Sequence, residues 1–316
     1  MNKRSPLLGP VGAGPPATEM CQPTNWCEGS PARHERSGRW PARLVRLLAV
    51  SDLHVASAAT RTAVASIPPH PDDWLILAGD IGETIPHLEW TLQTLRPRFR
   101  RLIWVPGNHD LWTLPSDPNQ ARGESRYRQL VDLCRALDVL TPEDPYPVWT
   151  EEDDRPIVLA PLFLLYDYSF RPPGSTKAEA LESAASAGVV CTDEFLLHPD
   201  PYPSREAWCR SRVALTAERL AAIPDRYATV LISHFPLRED LALLPRIPQF
   251  SLWCGTKLTE DWHERYRALA VVYGHLHIPR TSWRHEVRFE EVSLGHGLDG
   301  SRSTAAPRLR QVLPYP

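Results

Sequence analysis

Five short apolar runs in this chain each end on a carboxylate, an amide or an imidazole, and that recurrence constrains the fold more than any other feature. Leu47-Leu48-Ala49-Val50 precedes Asp52-Leu53-His54, and Trp74-Leu75-Ile76-Leu77-Ala78 precedes Gly79-Asp80. Leu102-Ile103-Trp104-Val105 stops at Pro106-Gly107 and opens onto Asn108-His109-Asp110. Thr229-Val230-Leu231-Ile232-Ser233 leads into His234, and Ala270-Val271-Val272-Tyr273 into Gly274-His275-Leu276-His277. Runs of this length bounded by turn residues read as short buried strands. Open α/β sheets bind ligands beyond the carboxyl ends of their strands. A single Asp-x-His or Gly-Asp would be an ordinary turn. Five strand ends that all aim nitrogen and oxygen donors at one edge describe a metal site.

The intervening sequence predicts a layered α/β core. Ile85 to Leu95 is a helix, with Ile85, Leu88, Leu92 and Leu95 at helical spacing. Thr60–Ser66 is a shorter helical stretch closed by Pro68-Pro69. Ser125–Leu137 and Ser204–Ala222 are further helices, the second with Ser204 and Glu206 at its start and Pro224 beyond its end. Ile157–Leu164 is a buried strand, Ser175–Ala187 a loop or weak helix, and Asp261–Tyr266 helix-like. Val287–Leu294 alternates and reads as a late strand. Residues 1–43, rich in Pro, Gly, Arg and Ser without either period, are expected to be a disordered leader. A single domain is expected over 44–316, with an insertion at about 112–226 that supplies a pocket wall or lid.

The candidate ligands are Asp52, His54, Asp80, Asn108, His234, His275 and His277. Seven donors exceed the four that one Zn²⁺ prefers. They suit two first-row transition-metal ions, divalent or of mixed valence, that share a carboxylate. Without a Cys ligand, imidazole and carboxylate favour Mn, Fe or Zn. Two such ions about 3.5–4 Å apart clamp phosphoryl oxygens and activate an attacking hydroxide. His109 is then placed to protonate the leaving oxygen, with Asp110 expected to hold its ring. The remaining histidines read as surface or core residues; His263 stands out because it lies in a Trp-rich segment.

Composition bounds the partners. A net charge of −3 argues against a surface built to neutralise nucleic-acid phosphates. No run approaches the roughly 18–20 apolar residues of a membrane span, and Pro10, Pro15 and Pro16 interrupt any secretory h-region. Six cysteines without a C-x-x-C pair fit reduced thiols in a cytoplasmic protein.

The order Asp52-x-His54, Gly79-Asp80, Gly107-Asn108-His109-Asp110, His234, Gly274-His275-x-His277 resembles the calcineurin-like metallophosphoesterases. The resemblance implies a β-sandwich of two mixed sheets flanked by helices, with the metal site at the carboxyl ends of the strands. It also implies that Asp80 bridges the metals, that Asp52, His54 and His277 complete one, and that Asn108, His234 and His275 complete the other. His109 would be the catalytic imidazole.

Several further stretches are similar to an actinobacterial branch of that family, which includes a phosphopantetheinyl hydrolase acting on acyl carrier proteins. They are Leu164–Phe170, Thr192–Leu197, Ser251–Thr256, His275–Thr281 and Val287–Ser293. If the substrate carries over, the reaction frees the carrier's Ser from a phosphodiester. Arg238, Arg246, Lys257 and Arg280 are then candidates for a basic rim that docks an acidic carrier helix. Gly295-His296-Gly297-Leu298-Asp299-Gly300 departs from the Gly-Tyr-Pro-Arg-Glu-Trp-like run expected of that branch. The departure leaves room for a phosphomonoesterase acting on a small metabolite.

Overall fold

A computed structural model describes residues 44–150, 156–294 and 306–315. The expected leader at 1–43 and the divergent Gly295–Gly300 segment lie outside the described residues.

The chain opens with β1 (Leu47–Val50), α1 (Ala58–Ala65), β2 (His70–Leu77), α2 (Ile85–Leu95) and β3 (Phe99–Trp104). α3 (Gly123–Ala136), β4 (Val139–Leu140), β5 (Val148–Trp149), β6 (Ile157–Pro161), α4 (Lys177–Ser186), α5 (Asp193–Leu196) and α6 (Arg205–Ala221) follow. The last third holds β7 (Ala228–Ile232), α7 (Trp262–Arg265), β8 (Ala268–Tyr273), β9 (Arg280–Arg284), β10 (Val287–Glu291) and β11 (Arg310–Leu313). One sheet runs β11-β1-β2-β3-β4 and the other β5-β6-β7-β8-β10-β9. β1 to β4 are parallel with β11 antiparallel at the edge; β6, β7, β8 and β10 are parallel with β5 and β9 antiparallel. The architecture is thus α/β, with two mixed sheets flanked by helices.

Alternation sorts the strands into two cores. Leu47, Ala49, Ile76, Ala78, Ile103 and Val105 face Leu159, Val230, Ile232, Ala270 and Val272 between the sheets. Their neighbours Leu48, Val50, Leu75, Leu77, Leu102 and Trp104 pack outward beneath Leu88, Leu92 and Leu95 of α2 and Tyr127, Leu130 and Val131 of α3. A strand covered on both faces has no solvent side, which is why these segments are apolar without a break. The helices begin where side chains can satisfy free amides. Ser57, Thr84 and Ser204 accept from the backbone N–H of Thr60, His87 and Ala207.

Register sets the site. Val50 pairs with Leu77 and Leu77 with Trp104, so the three strands end level and release Asp52, Asp80 and Asn108 along one edge. In the other sheet Ile232 pairs with Val272, which levels His234 with His275. The sheets meet at that edge, where Ser51 N–H donates to the Val292 carbonyl at 3.0 Å and Leu294 N–H to the Ser51 carbonyl at 3.0 Å.

Several elements differ from expectation. β2 begins at His70, ahead of the expected Trp74, and Asp73 near its start takes the Arg46 backbone N–H at 2.9 Å. The stretch around 175–187 forms a full helix, α4, because Thr176 and Glu179 build a reciprocal capping box. The polar side of β10 is not a solvent face: Arg288, Glu290 and Glu291 are all buried. β11 accounts for part of this, since the Arg288 guanidinium donates to the Val312 carbonyl and Arg310 pairs with Glu290 at 3.5 Å. The region 112–226 contributes to both sheets, β4 to one and β5 and β6 to the other.

Candidate metal and catalytic centre

The expected ligands converge, and the backbone deforms to bring them together. Asp52, His54, Asp80, His275 and His277 all have φ between 43° and 72°. Side-chain-bearing residues rarely adopt this left-handed conformation, and where it clusters it commonly marks a functional site. Here it turns the chain abruptly off each strand. Two glycines make room for the turns. A Cβ on Gly107 would lie 2.1 Å from Asp80 Oδ1, and one on Gly274 would lie 2.2 Å from Ser51 Oγ and 2.4 Å from Asp52 Oδ2.

Two donor sets result. Asp52, His54 and His277 form one, with His277 Nε2 3.3 Å from Asp52 Oδ1 and 3.4 Å from His54 Nε2. Asp80, His234 and His275 form the other. His234 Nε2 lies 3.4 Å from Asp80 Oδ2 and 3.2 Å from Asn108 Oδ1. Asp80 also groups with His54 and His109, so its carboxylate lies between the sets. Donors bound tetrahedrally at about 2.1 Å from one ion sit about 3.4 Å from each other, and these spacings match.

Neighbouring groups orient the donors. His234 Nδ1 donates to the Ala78 carbonyl at 2.9 Å, which leaves Nε2 facing the centre. Asn108 Nδ2 donates to Asp193 at 2.9 Å, which turns its oxygen toward His234. Asp52 accepts from Ser51 Oγ and from the His275 backbone N–H.

The electrostatics suit cations. Burial pushes the Asp80 carboxyl up, but the imidazoles of His234, His109 and His54 outweigh it and hold it well below the usual carboxylate range. Burial pushes His234 down, yet Asp80 lifts it to about 10. Burial and the charge on His234 drive His275 well below the ordinary imidazole value, and its buried Nε2 has no hydrogen-bond partner among the described residues. A neutral imidazole nitrogen without a partner beside the Asp80 carboxylate fits a bound cation. The donors are imidazole, carboxylate and amide oxygen; the described cysteines Cys134, Cys191, Cys209 and Cys254 are buried and free.

His109 occupies the rim. Its backbone N–H donates to Asp80 Oδ1 at 2.9 Å, and its ring lies on Trp112 with centroids 3.6 Å apart. The side chain is 25% exposed, against 6% or less for His54 and His234. Burial lowers its pKa, but Asp80 and Glu83 raise it beyond the ordinary imidazole value.

The expected role of Asp110 is corrected. Its carboxylate accepts from the backbone N–H groups of Asp80, Ile81, Gly82 and Gly107, at 3.0–3.2 Å, rather than from the His109 ring. Asp110 therefore ties the loop after β2 to the loop after β3. Glu83 faces the ring instead: its Oε1 lies 3.7 Å from His109 Nδ1 and 3.6 Å from His54 Nδ1.

Sequence reasoning missed Glu83 and Asp193. The available signal for Glu83 was an acid three residues beyond Asp80 in the same turn. Asp193 lies within the stretch 192–197 already noted, but nothing local reveals that it accepts both the Asn108 amide and the Trp112 indole N–H, the latter at 2.7 Å.

The calcineurin-like phosphoesterase family matches residues 45–279, which span every one of these strand ends. The chain belongs to that family. This phosphoesterase is 52% identical over 272 residues to the acyl-carrier-protein phosphodiesterase PptH of Mycobacterium tuberculosis, a match that covers 85% of this chain and 84% of that protein. Against the crystal structure of the phosphopantetheinyl hydrolase PptH from the same organism, the TM-score is 0.81 at 51% identity. That superposition covers 86% of this chain and 96% of the other. The phosphoesterase is a metal-dependent hydrolase of phosphoric esters, and its fold implies divalent ions.

Two of the four candidate rim residues are matched by acids. Arg238 pairs with Asp240 at 2.9 Å and with Glu260 at 3.9 Å, and Lys257 pairs with Glu239 at 3.0 Å. Arg280 donates to the Leu241 carbonyl at 2.7 Å, and Arg246 is exposed. No helix among the described residues is long and apolar enough to cross a membrane.

Proposed function

We propose that this phosphoesterase is a cytoplasmic phosphodiesterase that releases the phosphopantetheine arm from an acyl carrier protein and frees the carrier's Ser hydroxyl. The observation that carries the reading is the 52% identity, over 85% of the chain, to a protein that bears the name of that activity. Residues 44–316 serve as its metallophosphoesterase domain. Two ions, of Mn, Fe or Zn, would be held here, with Asp80 serving both: Asp52, His54 and His277 would hold one, and Asn108, His234 and His275 the other.

When bound, such ions supply Lewis acidity to the phosphoryl oxygens and acidify an attacking water. The protein's own residues supply the rest. By holding the ions, the carboxylates of Asp52 and Asp80 and the imidazoles of His54, His234, His275 and His277 would define where the phosphate can sit. His109, its charged form favoured by Asp80 and Glu83, delivers a proton to the departing Ser Oγ. Trp112 under the ring and Glu83 beside it fix the direction of that delivery.

A second reading, dephosphorylation of a small metabolite, is favoured by the divergent Gly295–Gly300 run and by the acids that pair with Arg238 and Lys257 of the candidate rim. A parallel assay with Mn²⁺ decides between them. Holo acyl carrier protein is followed by intact mass, and a panel of sugar and nucleoside monophosphates by phosphate release. Loss of the phosphopantetheine mass is expected. An untouched carrier with phosphate released from one metabolite would replace the first reading with the second.

A further inference from the structure

Away from the strand ends that hold the phosphoesterase centre, His263, Glu264 and His285 form a separate group of metal-type donors. His263 and Glu264 lie in α7, and His285 lies in the turn between β9 and β10. The catalytic edge is at the other end of β10, near Glu291, about 13 Å along the strand at roughly 3.3 Å per residue. The two groups therefore cannot share an ion.

Glu264 Oε1 sits 3.5 Å from His263 Nε2 and 3.9 Å from His285 Nε2. Ligands on one tetrahedral Zn²⁺ at about 2.1 Å are about 3.4 Å apart, so only small movements of exposed side chains would seat the ion. His263 supplies the second observation. It is 0% exposed, its ring lies against Phe289 with centroids 5.3 Å apart, and among the described residues neither ring nitrogen makes a hydrogen bond of good geometry, the Glu260 backbone being a polar neighbour. Buried imidazoles left with both nitrogens unsatisfied are rare, and such orphans call for a missing partner. The backbone also presents His285 deliberately: His285 and Glu286 have φ of 48° and 65°, the left-handed pair of a tight hairpin turn.

We propose that His263, Glu264 and His285 bind an additional borderline transition-metal cation, of the Zn²⁺ class, that staples the β9–β10 hairpin to α7. Two imidazoles and one carboxylate leave a fourth position for water, a donor set that suits Zn²⁺ better than Mg²⁺ or Ca²⁺. β9 is an edge strand with no neighbouring strand on its outer side among the described residues, and an edge hairpin tied at its turn resists fraying. The surrounding charges permit the ion. Arg238, whose charge reaches His263, pairs with Asp240 and Glu260, and Arg284, next to His285, also pairs with Asp240.

The test uses untagged full-length protein equilibrated with a small excess of Zn²⁺. Metal content per chain and thermal unfolding are measured for wild type, His285→Ala and Glu264→Gln. Both altered residues are exposed, so the fold should survive, and neither belongs to the phosphoesterase centre. Wild type is expected to hold one more Zn²⁺ per chain than either variant. It should also gain a Zn²⁺-dependent rise in melting temperature that the variants lack, while turnover stays equal. Equal metal content across the three proteins, or an equal Zn²⁺-dependent rise, overturns the site.

Discussion

At the scale of single residues, the loops after β2 and β3 each carry an acid, and the two roles look alike in sequence. Glu83 faces the His109 and His54 rings, whereas Asp110 is consumed by four backbone amides. Glu83→Gln should slow turnover with little change in melting temperature. Asp110→Asn should lower both, because replacing a buried acceptor of amides costs about 1–3 kcal/mol. Kinetics and thermal unfolding on the two variants check this; matched losses of stability would mean that both are scaffold residues. His109→Ala should keep its metals and lose about 10²–10⁴ in rate, most severely on esters with poor leaving groups. An equal loss on good and poor leaving groups would show that His109 positions the phosphate and does not protonate the leaving oxygen.

At the scale of elements, buried charge clamps the helices over the sheets. Glu143, in the turn after β4, accepts from the Tyr127 hydroxyl of α3 at 2.7 Å and from Arg212 of α6 at 2.6 Å. Burial pushes the Glu143 carboxyl up, but Arg212 and Tyr127 outweigh it and hold it below its ordinary value. A depressed carboxyl stabilises the fold above its unfolded pKa, near 4.3, and that contribution is lost as pH falls through the folded value. Glu143→Gln should thus cost about 1.5–3 kcal/mol at neutral pH. The gap to wild type should close on acidification below pH 4, as read from denaturant midpoints across pH. A gap that stays constant into acid would assign the loss to packing and not to charge.

At the scale of the whole molecule, the two sheets meet where the donors converge, so metal and fold are linked. Chelation should abolish activity and lower the melting temperature together. Asp80→Ala, which removes the carboxylate lying between the two donor sets, should load little metal, lose turnover, and show no further response to chelator. Thermal unfolding and metal analysis with and without chelator test this, and wild-type turnover in Asp80→Ala would sink the shared-ligand arrangement.

Much of this was legible in the chain because its signals are local. Unbroken apolar runs such as Leu75–Ala78 must be buried on both faces, and a donor placed directly after such a run must lie at a strand end. Ser204 before a periodic segment must start a helix. The family pattern rests on those same local blocks. Other features depended on partners remote in sequence. Thr176 and Glu179 cap a helix that composition alone rated weak. Arg288, Glu290 and Glu291 are polar yet buried, since β11 and its neighbours return to cover and pair with them. The basic residues Arg238 and Lys257 met acids from other turns. Asp193 reaches Asn108 across 85 residues, and Glu83 reaches a histidine from a different strand. By itself the sequence determined which atoms could bind a cation and on which strand ends they stand, because residue type and periodicity are properties of a segment. Only the tertiary structure decided which carboxylate faces the His109 imidazole and which charges are neutralised, because those are distances between segments that the chain order does not encode.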